Sequence, residues 1–195
     1  MANHPLDTTL VDNAIRFAVD AHAGTERRGK GFPYVIHVLE AMAIVATMTN
    51  DPELLAAAAL HDTVEDTDVT IGQIRQRFGE RVAALVEAET DIQLAEDGHR
   101  KSWRTRKQEA IDRIASSSRE AKMVALGDKL SNMRAISRDF HRKGDAVWAL
   151  FHAPGGREDH AWHYRGLAES LSELSDTEAY REFKSLIESI FGPSF

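Results

Sequence analysis

Leu54-Leu55-Ala56-Ala57-Ala58-Ala59-Leu60-His61-Asp62-Thr63-Val64-Glu65-Asp66 opens with an apolar run and closes with one imidazole and three carboxylates. The run seeks a core, and ionisable groups carried to its end are costly to bury unless they pair, hydrogen-bond or hold a metal. A divalent cation is the partner of opposite charge that such a cluster calls for. His61 and Glu65 are four residues apart, as are Asp62 and Asp66, so a helical turn carried past Thr63 points each pair the same way. The plain alternative is a helix end with solvated acids. It accounts for Glu65 and Asp66 more readily than for His61 and Asp62. Just upstream, Asn50-Asp51-Pro52 combines an N-cap with a proline at the first helical position, which anchors this helix.

Working outward towards the N-terminus, residues 7–23 place Leu10, Ala14, Phe17 and Ala21 on one helical stripe with His22 beside it, and Gly24 stops the helix. Residues 24–32 are rich in Gly, Arg and Lys and read as a loop, closed by Pro33 at the start of a second helix. On that helix His37, Ala41, Ile44 and Met48 share a face. A lone His on such a stripe is usually a hydrogen-bonded core residue.

Towards the C-terminus, Thr70-Ile71-Gly72-Gln73 is a capping box for a short helix ending at Gly79, and residues 80–89 form another with Val82, Leu85 and Val86 inward. Residues 90–101 are polar and aperiodic, which predicts a loop. Residues 102–115 are helical, and Ser117-Ser118-Arg119-Glu120 reads as a second capping box launching a helix over 121–138. There Ala121, Val124, Ala125, Asp128, Asn132 and Ala135 share one face, so Asp128 repeats the anomaly of His37. Pairing with a nearby Arg or Lys is its plain reading. Gly144 precedes a segment over 145–151, residues 153–156 form a loop, and residues 160–174 are amphipathic. Ser175-Asp176-Thr177-Glu178 reads as a third capping box, before a last helix that runs to Phe191. Strand signals are almost absent and no repeat stands out. The expectation is an all-α bundle of about eight to ten helices, with residues 1–195 as a single domain, a core over about 14–138 and the helices of 145–192 packed on it.

Composition narrows the partners. The 195 residues contain no Cys, which excludes disulfides, thiolate metal sites and cysteine nucleophiles. A net charge of −7 argues against general nucleic-acid binding, because phosphate backbones demand a surplus of cations. Local basic clusters at Arg27-Arg28-Gly29-Lys30, 99–107 and 138–143 read as solvated faces or as a means of focusing a small anion. Met1-Ala2-Asn3-His4-Pro5 carries no basic-then-apolar signal and no apolar run reaches membrane length, so a cytoplasmic protein without a membrane partner is expected. Self-association into a homo-oligomer stays open.

His37, His61, Asp62 and Asp128 are the residues that stand on apolar faces without a local reason. Two imidazole nitrogens and two carboxylate oxygens suit Mn²⁺, Fe²⁺ or Zn²⁺ and leave positions for water and substrate, so hydrolysis is the natural chemistry. At this point the chain resembles the HD-domain phosphohydrolases. More narrowly, three ordered motifs are similar to those of the hydrolase domain of Rel/SpoT alarmone enzymes: Arg28-Gly29-Lys30-Gly31-Phe32-Pro33-Tyr34-Val35-Ile36-His37, Ala58-Ala59-Leu60-His61-Asp62-Thr63-Val64-Glu65-Asp66-Thr67 and Gly127-Asp128-Lys129-Leu130-Ser131-Asn132-Met133-Arg134. The resemblance covers roughly residues 14–138 and implies an HD-domain helical bundle.

Its further implication is a stand-alone alarmone hydrolase that removes the 3′-pyrophosphate of guanosine tetra- and pentaphosphate. By that resemblance His37, His61, Asp62 and Asp128 bind Mn²⁺, and Glu65 and Asp66 are the catalytic acids that position water and manage protons. It also implies that Arg28 stacks on guanine, that Asn132 meets the ribose or its phosphates, and that Lys30 and Arg134 meet phosphate. Gly29, Val38 and Ser131 depart from the residues frequent in the family. The alternatives are a general HD nucleotide phosphatase or phosphodiesterase, and a non-catalytic alarmone-binding module.

Overall fold

The computed structural model describes residues 6–90, 98–151 and 153–193. These hold ten α-helices, two 3₁₀ helices and no β structure beyond one isolated bridge between Glu26 and Pro33. In chain order the helices are α1 (Thr9–Ala21), α2 (Val35–Val45), α3 (Pro52–Leu60), α4 (Thr63–Asp66), α5 (Ile71–Phe78), α6 (Glu80–Glu89), α7 (Trp103–Ser116), α8 (Arg119–Lys143), α9 (Arg157–Ser170) and α10 (Glu178–Phe191). The 3₁₀ helices span Gly144–Leu150 and Ser172–Leu174. The expected all-α bundle is what forms.

α3 lies at the middle of the N-terminal half. A helix that is apolar all round has no face to give to water, so it is enclosed. Ala56, Ala57, Ala58, Ala59 and Leu60 are all buried, and their small side chains let α1, α2, α6 and α8 pack round the helix. Its start follows the sequence reading: the Asp51 carboxylate accepts from the backbone N–H of Glu53 at 2.9 Å, with Pro52 next in line. The helix ends at Leu60. His61 and Asp62 keep near-helical backbone angles through a bend, and α4 begins at Thr63, with the Asp66 N–H donating to the Asp62 carbonyl at 2.9 Å.

α8 is the long member and joins two apolar clusters. Ala121 and Val124 in its first turns belong to the cluster that also holds side chains of α1, α2, α3, α5 and α6, and Leu126, Leu130, Met133 and Ile136 belong to the one that holds side chains of α7, α9, α10 and the 3₁₀ helix at Gly144–Leu150. It runs further at both ends than expected, because nothing breaks it before Gly144, whose positive φ of 56° ends it.

Two capping boxes do not form. Ser118, not Ser117, is the N-cap of α8 and accepts from the Ala121 N–H. Glu120 therefore falls one position early and binds Arg81 at 2.8 Å. Ser175 is still held by the preceding 3₁₀ turn through its N–H to Ser172, which leaves Thr177 to cap α10. The box at Thr70 and Gln73 does form. Of the loop expected over 90–101, residues 91–97 lie outside those described.

α2 and α8 approach closely at Gly127. A Cβ there would sit 2.6 Å from Val45 Cγ2 and 2.8 Å from the Ala41 carbonyl oxygen, and the backbone oxygen cannot move aside. Gly127→Ala should lower unfolding free energy by about 1–3 kcal/mol, the usual range for overpacking a core, measured by urea denaturation.

His160 on α9 sits among Trp103, Trp148 and Phe151 with neither ring nitrogen hydrogen-bonded. Burial holds its pKa down to about 4. Between that value and the ordinary 6.5 the unfolded chain binds a proton that the folded chain does not, so stability falls as pH drops through this window. His160→Phe should remove that share of the slope, on the order of 3 kcal/mol by pH 4, read as the difference between the two proteins' melting curves from pH 7 to 4.

Candidate metal centre

Three helical segments deliver the four anomalous side chains to one point. His37 comes from α2, His61 and Asp62 from the bend between α3 and α4, and Asp128 from α8 one residue past the Gly127 approach. One ligand atom from each lies within 4.8 Å of all the others. His37 Nε2 is 3.0 Å from Asp128 Oδ1 and 3.4 Å from Asp62 Oδ2. His61 Nε2 is 3.0 Å from Asp62 Oδ2 and 3.5 Å from Asp128 Oδ1. His37, His61 and Asp128 are buried, and Asp62 is half-buried.

The surroundings orient each donor. His61 Nδ1 lies 2.8 Å from the Ala58 carbonyl, which can only accept, so Nδ1 carries the hydrogen and Nε2 faces the cluster. The Tyr34 hydroxyl donates to Asp62 Oδ2 at 2.7 Å. Burial, and then the Asp62 charge, push that phenol far above its ordinary range, so it remains a donor. The His22 ring packs beside Tyr34 at 4.9 Å. Asp128 Oδ2 accepts from Lys129 Nζ at 2.6 Å, and Asp128 Oδ1 accepts from Asn132 Nδ2 at 2.5 Å. Lys129 also reaches the buried Glu89 at 3.4 Å.

Burial by itself would raise the carboxyl groups of Asp62 and Asp128 and lower the imidazole of His61. The mutual charges reverse all three. His61 holds Asp62 well below the usual carboxylate range, Lys129 and the two imidazoles do the same for Asp128, and the two carboxylates hold His61 well above its own. His61 Nε2 is buried yet has no hydrogen-bond partner. An orphaned nitrogen beside a second imidazole and two ionised carboxylates is the donor set that a divalent Mn²⁺, Fe²⁺ or Zn²⁺ accepts.

The other expected site residues spread around this point. Glu65 and Asp66 lie on α4, one turn past His61 and Asp62. Asp66 borders a pocket of about 470 Å³ with Thr25, Asp68 and Gln73, and partial burial together with the Asp62 charge raises its carboxyl. Asn132 joins the centre directly, and its Oδ1 accepts from Arg27 Nη2 at 2.5 Å. Arg28 is exposed in the loop before α2. Lys30 pairs with the buried Asp139 and, with Phe32, Arg138 and Arg142, lines a cavity of about 650 Å³. Arg134 makes a two-pronged bond to Glu182 of α10, both distances 2.7 Å, with Glu40 at 3.4 Å.

Sequence reasoning passed over Arg27, Tyr34, Glu40, Glu89 and Lys129 as parts of the site. Arg27 and Tyr34 flank residues already singled out, and Glu40 follows His37 by one helical turn, so proximity was a usable signal for them. Glu89 gave none. Tyr164 of α9 is buried, and burial followed by the Asp128 charge raises its phenol.

Titration with Mn²⁺ or Zn²⁺ should raise the melting temperature, by the equivalent of about 2.7 kcal/mol at a hundred times the dissociation constant. Asp62→Ala and His61→Ala should each abolish the rise while keeping the helical circular dichroism spectrum.

A family model described as an HD domain matches residues 14–157. A probable guanosine-3′,5′-bis(diphosphate) 3′-pyrophosphohydrolase of Synechocystis sp. is 30% identical over 182 residues, covering 91% of this chain and 24% of that protein. The guanosine-3′,5′-bis(diphosphate) 3′-pyrophosphohydrolase MESH1 of Danio rerio is 34% identical over 134 residues, 67% of this chain and 71% of that protein. The chain thus spans about a quarter of the first relative and 13% of a second long one, from Aquifex aeolicus. Among solved structures, a metazoan orthologue of SpoT that hydrolyses ppGpp superposes with a TM-score of 0.77 at 24% identity, over 98% of this chain and 100% of that one, which shows a shared fold. With a family match across most of its length, and with His37, His61, Asp62 and Asp128 gathered where they could hold a metal ion, this chain belongs to the HD-domain family.

Proposed function

We propose that this protein is a divalent-metal-dependent phosphohydrolase that converts guanosine 3′,5′-bis(diphosphate), or its 5′-triphosphate counterpart, to GDP or GTP and pyrophosphate. The observation that carries the reading is the convergence of His37, His61, Asp62 and Asp128, with two further acids one turn away on α4. The pyrophosphohydrolase names of the curated relatives supply the substrate class.

The four ligands hold the cation, with Mn²⁺ the preferred ion. When bound, it neutralises charge on a phosphoryl oxygen and lowers the pKa of a water. Glu65 and Asp66 would position the attacking water and take its proton. Asp66 suits the task, since its raised carboxyl sits nearer the pH at which it would exchange protons. In the balanced reaction a water oxygen bonds to the phosphorus of the 3′-diphosphate, the bond from phosphorus to the ribose O3′ breaks, and a proton ends on O3′. Asn132, whose amide is bound by Asp128 and Arg27, would meet the ribose or its phosphates. Arg28, exposed in the loop before α2, would lay its planar guanidinium on a base, and Lys30 and Arg134, which pair with Asp139 and Glu182, would turn to phosphate.

The same reading treats the chain as one HD-type domain, with α10 tied to α8 through Arg134 and Glu182. No described helix is long and apolar enough to cross a membrane. A cytoplasmic location, where free nucleotides are found, accords with the reading.

Purified protein with Mn²⁺ should release GDP and pyrophosphate from guanosine tetraphosphate, followed by anion-exchange chromatography. Glu65→Gln and Asp66→Asn should each lower kcat by about 10²–10⁴-fold, the range for losing a proton-transfer group. A metal-loaded protein that leaves this substrate intact but turns over another nucleotide in a panel of dNTPs, cyclic nucleotides and 5′-monophosphates would overturn the substrate assignment.

A further inference from the structure

His37 and His61 present the same nitrogen to the centre but are held by different means. His61 is fixed by its own helix, through the Ala58 carbonyl three residues back. His37 has no such carbonyl. Its Nδ1 lies 2.8 Å from Ser131 Oγ of α8, and the same Oγ lies 2.8 Å from Glu40 Oε2 of α2.

The serine hydroxyl has a single hydrogen, and a carboxylate oxygen only accepts, so that hydrogen goes to Glu40. Ser131 Oγ is then an acceptor towards the ring, and His37 Nδ1 must be the donor. With Nδ1 protonated, the lone pair of the neutral ring sits on Nε2, the atom 3.0 Å from Asp128 and 3.4 Å from Asp62. Glu40 is itself held, since its other oxygen faces Arg134 at 3.4 Å and Arg138 at 3.9 Å. Ser131 is 1% exposed, so no water competes for its hydroxyl.

We infer that Glu40 and Ser131 are positioning residues, forming a carboxylate–hydroxyl–imidazole relay that fixes the tautomer and ring orientation of His37 as a metal ligand. The inference rests on the reading of the four residues as a metal site. Partners of this kind, one bond removed from a ligand, commonly set metal affinity by 10–100-fold. Because the relay bridges α2 and α8, it also makes the geometry of one ligand depend on the helix that carries another.

The test reads tautomer and affinity separately. In metal-free protein with ¹⁵N-labelled histidine, long-range ¹H–¹⁵N correlations should show the Nδ1–H form at His37, with signals assigned from His37→Gln and His61→Gln and His61 serving as the internal reference. Ser131→Ala and Glu40→Leu should each lose the single-tautomer signature at His37 and leave the His61 signals unchanged. Calorimetric affinity for Mn²⁺ should fall by about 10–100-fold in both variants, and Ser131→Thr should restore most of it. An unchanged His37 tautomer together with unchanged Mn²⁺ affinity in Ser131→Ala overturns the relay. Should that variant fail to fold, Glu40→Leu decides by the same two readouts. Should the wild-type protein bind no divalent cation, the metal-site reading fails, while the tautomer measurement still decides whether the relay exists.

Discussion

Two carboxylates brought into one buried cluster repel each other strongly, because the interior screens charge far less than water does. Most of what surrounds the centre answers that repulsion. Lys129 and Asn132 bind the two oxygens of Asp128, Tyr34 binds Asp62, and the His61 ring faces both carboxylates, whose charges push its imidazole up. The four donor atoms already lie within 4.8 Å of one another, close to where a cation would need them.

The helix packing follows from the same requirement. His37 on α2 and Asp128 on α8 meet only if the two backbones come close, and Gly127 opposite Ala41 and Val45 permits it. On α3, four consecutive alanines let neighbouring helices close round the segment that ends in His61. The small residues of the central helices are there for distance as much as for burial. The Arg134–Glu182 bond extends the arrangement outward, connecting α10 to the helix that carries Asp128.

Much of this was legible in the sequence. The all-α class followed from helical periodicity and from the scarcity of strand signals, and the convergence of four residues was foreshadowed because each stood on an apolar stripe it had no local reason to join. Local hydrogen bonding was harder to read. Ser117 and Ser175 each began a pattern that fits a capping box, but which serine or threonine caps a helix depends on where the preceding turn lets go, and for Ser175 a 3₁₀ turn held on. Glu40, Glu89 and Lys129 were illegible for a related reason. Charged residues on helices are usually solvated, and only the crossing of three helices turns these inward. The grip of Glu182 on Arg134 likewise depends on a contact across 48 positions of sequence.

The bend at His61 and Asp62 has a consequence for how such a protein can change over time. It sets a boundary between a buried stretch, where every substitution is felt by four neighbouring helices, and the short turn of α4 that opens to solvent. The ligands lie on the enclosed side of that boundary, and Glu65 and Asp66 lie on the open side. Substitutions in α4 and in the loop before α2 therefore meet fewer packed neighbours and can accumulate, while the cradle beneath stays fixed by its own packing.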